Sequence, residues 1–335
     1  RSAQGVLSVY KGTTFFDKMQ VFRQKPWIPD KFTDNMRFYL EELSPVLPHT
    51  VQQGEVCPMK LFFTKMQGAG NDYLFVDCRK TGCLPRAAAL SAVLSRPHYG
   101  VGADGLVCIC PPVLPGGDAC MRMFNADGTE GTMCGNGVRC VAEYLYTHGL
   151  HRAVLKIDTP HAGQRILRRV GAGRWQADMG RFTPFAPAVP GAKPGSAALC
   201  TADGCFAVQC LSIGNPHCVV PCPDGLPSAA QLARRGAALA EHPAFLCGAN
   251  VEFVHPVSPA CLAVSVWERG SGATLACGTG ACAAAAAMVL QGICRRGTPI
   301  EVQLPGGVLT VCISPDDTVQ LTGDAVTVFT GEVDV

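Results

Sequence analysis

Two cysteines 143 residues apart, Cys134 and Cys277, each enter a glycine-spaced turn, and this repeat constrains the fold more than any other feature of the chain. The first turn is Met133-Cys134-Gly135-Asn136-Gly137 and the second Ala276-Cys277-Gly278-Thr279-Gly280. Asn125 precedes Cys134 by nine residues, as Glu268 precedes Cys277. Other anchors keep the register: Asn71 and Asn215 are 144 apart, and Met179-Gly180 and Thr322-Gly323 are 143 apart. The side chains between them differ, so low complexity does not explain the match. A diverged duplication does, and it predicts two pseudo-symmetric halves with a cleft between them, a favoured place for a small-molecule site.

Length fits that division, since 335 residues exceed what one growing core usually supports, and 48% hydrophobic residues supply two. Strands are expected at 60–66, 73–77, 106–110, 119–124, 154–159 and 165–170, with a helix at 86–94 and an apolar helix at 138–148 behind the first thiol. A Pro/Ala/Gly-rich stretch over 182–195 reads as the connection. Beyond it, strands are expected at 206–213, 250–254, 261–267, 300–304, 308–313 and 325–329, with helices at 226–241 and 281–290. This order describes a mixed α/β (α+β) fold. Residues 1–57, with scattered aromatics, four prolines and a weakly amphipathic piece at 35–43, read as an N-terminal extension packed on a surface.

A net charge of +2 and a pI near 7.9 give no polyelectrolyte signal for nucleic acid or an anionic membrane. No run is apolar enough to span a bilayer. Nineteen cysteines spread over a large chain, odd in number and with apolar neighbours, point to buried thiols in a reducing compartment rather than to a disulfide framework.

A thiol at a helix N-terminus lies near unsatisfied N–H groups that favour its thiolate and also bind a ligand carboxylate. Gly135-Asn136 and Gly278-Thr279 offer such donors. Two thiols facing one carbon can take a proton from one side and return one to the other, which inverts configuration; hydrolysis needs only one nucleophile. Glu268 suits a ligand ammonium and Arg269 a carboxylate, while Asn71, Asn125, Asn215 and Asn250 donate and accept for both or serve as turn residues. His217 either assists a thiol or ties the Gly214-Asn215-Pro216 turn, and Asp104 is a loop carboxylate. The scheme needs no cofactor and no metal. Neither thiol motif contains a Schiff-base lysine, Gly68-Ala69-Gly70 lacks the third glycine of a dinucleotide loop, and Cys218 and Cys222 near His217 lack a second pair with zinc spacing.

Residues 67–72, 100–105, 124–137, 214–217, 250, 267–280 and 304–307 together resemble the diaminopimelate epimerase family, over roughly 59–335. The resemblance implies cofactor-independent interconversion of LL- and meso-2,6-diaminopimelate on the route to lysine, with Cys134 and Cys277 as the acid/base thiols. By the same matching, Asn71, Asn125, Gly135, Asn136, Asn215, Asn250, Glu268, Arg269, Gly278 and Thr279 contact substrate. The implied architecture is a curved mixed sheet around a central helix in each half: 58–178 plus 323–335 form the first domain and 179–322 the second. A homodimer is also implied. The family usually has His at position 67 and often Gln at Gly105, which leaves one distal substrate contact either missing or replaced by backbone or water. The Ala103-Asp104-Gly105 form and Val266-Trp267-Glu268-Arg269-Gly270 resemble the plant and algal branch, so a chloroplast-stroma enzyme without its transit peptide is expected. The alternatives are a proline or hydroxyproline racemase of the same two-thiol architecture and a non-catalytic amino-acid-binding module.

Overall fold

The computed structural model describes residues 60–160 and 162–335; the extension read over 1–57 lies outside the described residues. The chain runs β1 (Lys60–Gly68), β2 (Asn71–Asp77), α1 (Ala87–Leu94), β3 (Gly105–Cys110), β4 (Ala119–Asn125), β5 (Glu130–Gly131), α2 (Gly135–Thr147), β6 (Val154–Thr159), β7 (Gly163–Gly171), β8 (Arg174–Arg181) and β9 (Thr183–Pro184). It continues β10 (Ala197–Thr201), β11 (Gly204–Ser212), β12 (Pro216–Pro221), α3 (Ala229–Ala240), β13 (Asn250–Ser258), β14 (Cys261–Glu268), β15 (Gly272–Thr274), α4 (Gly278–Leu290), β16 (Ile300–Leu304), β17 (Gly307–Ile313), β18 (Thr318–Asp324) and β19 (Val326–Asp334). The fold is mixed α/β, with few helices and many strands. Pairs β2–β3, β4–β6, β12–β13 and β14–β16 are parallel and the other ladders antiparallel.

Helix α4 shows why the strands wrap as they do. Its sequence GTGACAAAAAMVL is apolar on every side, and twelve of its thirteen residues are buried. Such a helix must be walled all round, and the alanines let that wall approach closely. α2, with ten buried residues, is the other central helix, and both share one apolar core with strands from before and after them in the chain. β3 (GLVCIC) is buried along its whole length because it is covered twice. Val107 and Ile109 face the core around α2, while Leu106, Cys108 and Cys110 face a second cluster beneath α1. β12 is covered in the same manner, with α3 over its outer face. Strands with one covered face alternate instead, as in β14, β16 and β18.

Strands β8 and β18 are absent from the sequence reading, because the polar residues in RWQADMGR and TVQLTGD dilute the strand pattern. They pair with each other along their length, from Thr318↔Arg181 to Asp324↔Arg174. β10 is also additional, and it corrects the expectation of free thiols throughout. In the β10–β11 hairpin Cys200 lies directly opposite Cys205, and the two form a disulfide, because facing residues of a tight hairpin bring their side chains together on one face. The other described cysteines are free.

Candidate active site

Each thiol turn is held by the helix it opens. Cys134 is the N-cap of α2, in extended conformation, and its Sγ accepts from the Gly137 N–H at 3.3 Å. Cys277 caps α4 in the same way, accepting from the Gly280 N–H at 3.4 Å. Both helices therefore begin three residues before their apolar runs. The two N-termini abut: a Cβ built on Gly135 falls 3.7 Å from the Gly278 Cα, so glycine at both positions permits the approach. Both thiols line one cavity of about 910 Å³.

On the Cys134 side, that sulfur donates to Asn71 Oδ1 at 3.2 Å, which also accepts from Asn136 Nδ2 at 3.3 Å. Asn71 Nδ2 donates to Asp104 Oδ2 at 2.6 Å, and the Asp72 N–H reaches the same oxygen at 3.1 Å. Asp104 thus both closes its loop and orients Asn71. The Asn125 amide is fixed by Thr129 Oγ1 at 2.9 Å. On the Cys277 side, Asn215 Nδ2 donates to Thr279 Oγ1 at 3.4 Å, and Thr279 Oγ1 is 3.5 Å from the Cys277 sulfur. Thr274 Oγ1 donates to Glu268 Oε1 at 2.7 Å, while Asn250 Oδ1 accepts from the Arg269 N–H at 2.9 Å. The Arg269 guanidinium donates to the Cys247 carbonyl.

The cavity wall contains all four asparagines, both glycines after the thiols, Asn136, Thr279, Glu268, Arg269 and Asp104. His217 and Gly105 are not in it. His217 is fully buried, its Nδ1 2.7 Å from Glu252 Oε1 and its Nε2 3.1 Å from Asn215 Oδ1. Of its two readings, tying the Asn215 turn is the one these bonds describe. Gly105 opens β3 opposite Asn125, where a Cβ would come within 2.2 Å of the Phe124 carbonyl oxygen and 3.0 Å of the Tyr73 ring.

Three residues near the thiols are missing from the sequence reading. The Tyr73 hydroxyl lies beside Cys134 and Asn71. Glu252 lies beneath the second turn, 2.8 Å from where a Gly280 Cβ would stand. Arg139, fully buried, donates to the Gly135 carbonyl at 2.9 Å and to Asn136 Oδ1 at 2.8 Å, fixing the first turn. The signal for two of them is the strand period: residues two apart share a face, which pairs Asn71 with Tyr73 on β2 and Asn250 with Glu252 on β13.

The expectation that helix N-termini make these thiols acidic needs correction. Burial pushes the Cys134 thiol up, against the Gly137 N–H and the Tyr73 hydroxyl, which pull it down. Burial pushes Cys277 well above the ordinary range, and the carboxylates of Glu268 and Glu252 add to the rise. Desolvation outweighs the N–H donors at both sites. The thiols are also unequal, because the acidic neighbours crowd Cys277.

Comparison with known proteins matches this geometry to a family. The model of the family described as diaminopimelate epimerase matches residues 63–183 and 209–332. The diaminopimelate epimerase of Pelotomaculum thermopropionicum is 38% identical over 284 residues, covering 81% of this chain and 98% of that protein. That of Geobacillus kaustophilus is 40% identical over 284 residues, covering 80% and 95%. Among solved structures, a hydroxyproline epimerase from Agrobacterium vitis with bound trans-4-hydroxy-L-proline shares the fold, with a TM-score of 0.61 at 15% identity over 82% of this chain and 93% of that one. On this likeness along both thiol-bearing halves, the chain belongs to the diaminopimelate epimerase family.

Proposed function

We propose that this protein is a diaminopimelate epimerase of lysine biosynthesis, an isomerase that interconverts LL- and meso-2,6-diaminopimelate by passing an α-proton between Cys134 and Cys277. One observation carries the reading: two thiols, each capping a helix, open on one cavity where the helix N-termini abut. Two positive dipole ends held together repel until an anion sits between them. The substrate α-carboxylate fits that position, accepting from the N–H groups of Gly135, Asn136, Gly278 and Thr279.

The α C–H bond of an unactivated amino acid is a weak acid, so the charge that develops on the carboxylate must be stabilised by donors already in place. Each is worth on the order of 3 kcal/mol in such roles. Cys134, with fewer acidic neighbours, ionises first and takes the proton from one face; Cys277 gives its own to the other. Glu268 and Arg269 hold the reacting centre, and Asn71, Asn125, Asn215 and Asn250 orient the zwitterionic groups. No lysine lines the cavity among the described residues.

The same reading makes the protein two pseudo-symmetric domains, 58–178 with 323–335 and 179–322, joined by duplication. In support, β8 and β18 correspond under the 143-residue shift and pair antiparallel, as strands related by a two-fold axis do. The assembly is a homodimer. The plant or algal branch and the chloroplast stroma remain its proposed setting, tested by fractionating the cells that make the protein and asking whether it sediments with the plastids.

Incubation of the purified protein with LL-diaminopimelate in deuterated water, without added pyridoxal phosphate, should give meso product carrying one α-deuterium. Cys134→Ala and Cys277→Ala should each lower turnover at least about a thousandfold with the fold retained. Near-normal turnover in either variant, or exchange into proline but not diaminopimelate, would overturn the assignment.

A further inference from the structure

Beneath the first thiol turn lies a buried cation that no step of the proton transfer uses. Arg139 is fully buried, with Nη1 donating to the Gly135 carbonyl at 2.9 Å and Nη2 to Asn136 Oδ1 at 2.8 Å, while its Nε is buried without a partner. Among the described residues no carboxylate pairs with it. A guanidinium out of water and without a counter-charge is costly to bury. Burial pulls it below its usual range, yet an arginine starts so far above neutrality that it stays charged.

Two strands make room for this group by omitting side chains. A Cβ on Gly68, at the end of β1, would fall 3.2 Å from Nη2, and one on Gly323, in β18, would fall 2.8 Å from Nη2 and 3.0 Å from Cζ. The guanidinium is thus held from three elements, β1, β18 and its own α2. Its bond to Asn136 Oδ1 also fixes that amide, so that Asn136 Nδ2 faces Asn71 Oδ1 at 3.3 Å.

The bond to Gly135 has an electrical consequence. The Gly135 carbonyl and the Asn136 N–H belong to one peptide unit, so a cation on the oxygen draws electron density from the nitrogen and makes the N–H a stronger donor. Asn136 is the second residue of α2, where the helix itself supplies no acceptor for that N–H, and it lines the cavity. The other half has no equivalent. Under the 143-residue shift Arg139 corresponds to Cys282, a buried thiol pushed up to about 12 and so uncharged at neutral pH, and the acidic group beneath that turn is Glu252.

We propose that Arg139 is a positioning residue that polarises the Gly135–Asn136 peptide, making the Asn136 N–H the strongest backbone donor to the substrate α-carboxylate. This role rests on the epimerase reading, which puts that carboxylate between the two helix N-termini. Charge on the carboxylate grows as the α-proton leaves. A polarised donor therefore holds the transition state more tightly than the ground state, and its loss falls on kcat more than on KM.

The test compares Arg139→Met and Arg139→Lys with the unaltered chain on LL-diaminopimelate. Arg139→Met should lower kcat by roughly tenfold to a hundredfold with KM changed less than about threefold, and Arg139→Lys, which keeps the cation, should recover part of kcat. Normal kcat in Arg139→Met, a loss confined to KM, or lysine no better than methionine would each overturn the role. Should neither variant fold, the unaltered chain decides by NMR. When diaminopimelate saturates isotope-labelled protein, the Asn136 amide proton should move further downfield than that of Thr279, its counterpart under the 143-residue shift; an equal or smaller movement overturns the role. Absence of α-proton exchange in the unaltered chain would sink the epimerase reading and this role with it, whereas normal exchange beside any of the adverse results sinks the role alone.

Discussion

Tyr73 stands two residues past Asn71 on β2, so both side chains point to Cys134, the first with a hydroxyl and the second with an amide. The hydroxyl favours the charged form of Cys134, partly offsetting the rise that burial causes. Tyr73→Phe keeps the ring that packs edge-on against Phe75 and removes only that donor. The Cys134 thiol should rise further, so the acid limb of the kcat/KM profile should move to higher pH and the rate at pH 7 should fall several-fold. An unmoved limb would show that the hydroxyl does not act on the thiol. Gly105 belongs to the same corner. The space a side chain would need there is taken by the Phe124 carbonyl and the Tyr73 ring, so the backbone as it stands admits no larger residue at position 105.

At the scale of elements, α2 and α4 were legible as apolar runs with a thiol at each N-terminus, and Cys134 and Cys277 are their N-caps; only the first three helical residues of each were missed, because the glycines after the cysteine read as loop. The strand β19 shows the opposite case. Its sequence VTVFTGEVD was read only to residue 329, yet it continues to Asp334 and, among the described residues, pairs with β1 alone. Its outer edge is thus a row of open backbone donors and acceptors, flanked by Val326, Val328 and Phe329, each at least 43% exposed. An apolar edge of this length is prone to pair with another chain, and we propose it as the contact surface of the proposed homodimer. Val328→Lys should yield monomers by light scattering at micromolar concentration, whereas an unchanged dimer would place the interface elsewhere.

For the molecule as a whole, the buried thiols bear on pH stability. Burial pushes Cys140, Cys210 and Cys282 up to about 12. An unfolded thiol ionises near 8.5, so above that pH the unfolded chain has released protons that the folded chain still holds. The stability these groups give is whole below pH ~8.5 and is lost as pH rises toward 12, by about 1.4 kcal/mol per pH unit for each thiol. Urea midpoints measured with reductant should therefore fall steeply between pH 8.5 and 10; a flat profile would mean that these thiols ionise freely in the fold. The sequence by itself determined the repeat, the glycine turn that frames each thiol, the apolar helices behind them and the residue types suited to a zwitterion, because these are local patterns carried by short stretches. It could not pair β8 with β18, set Gly135 against Gly278 or place Glu252 under Cys277. Those arrangements join residues far apart in the chain, and the protonation of the thiols follows from burial, which exists only once the chain has closed around them.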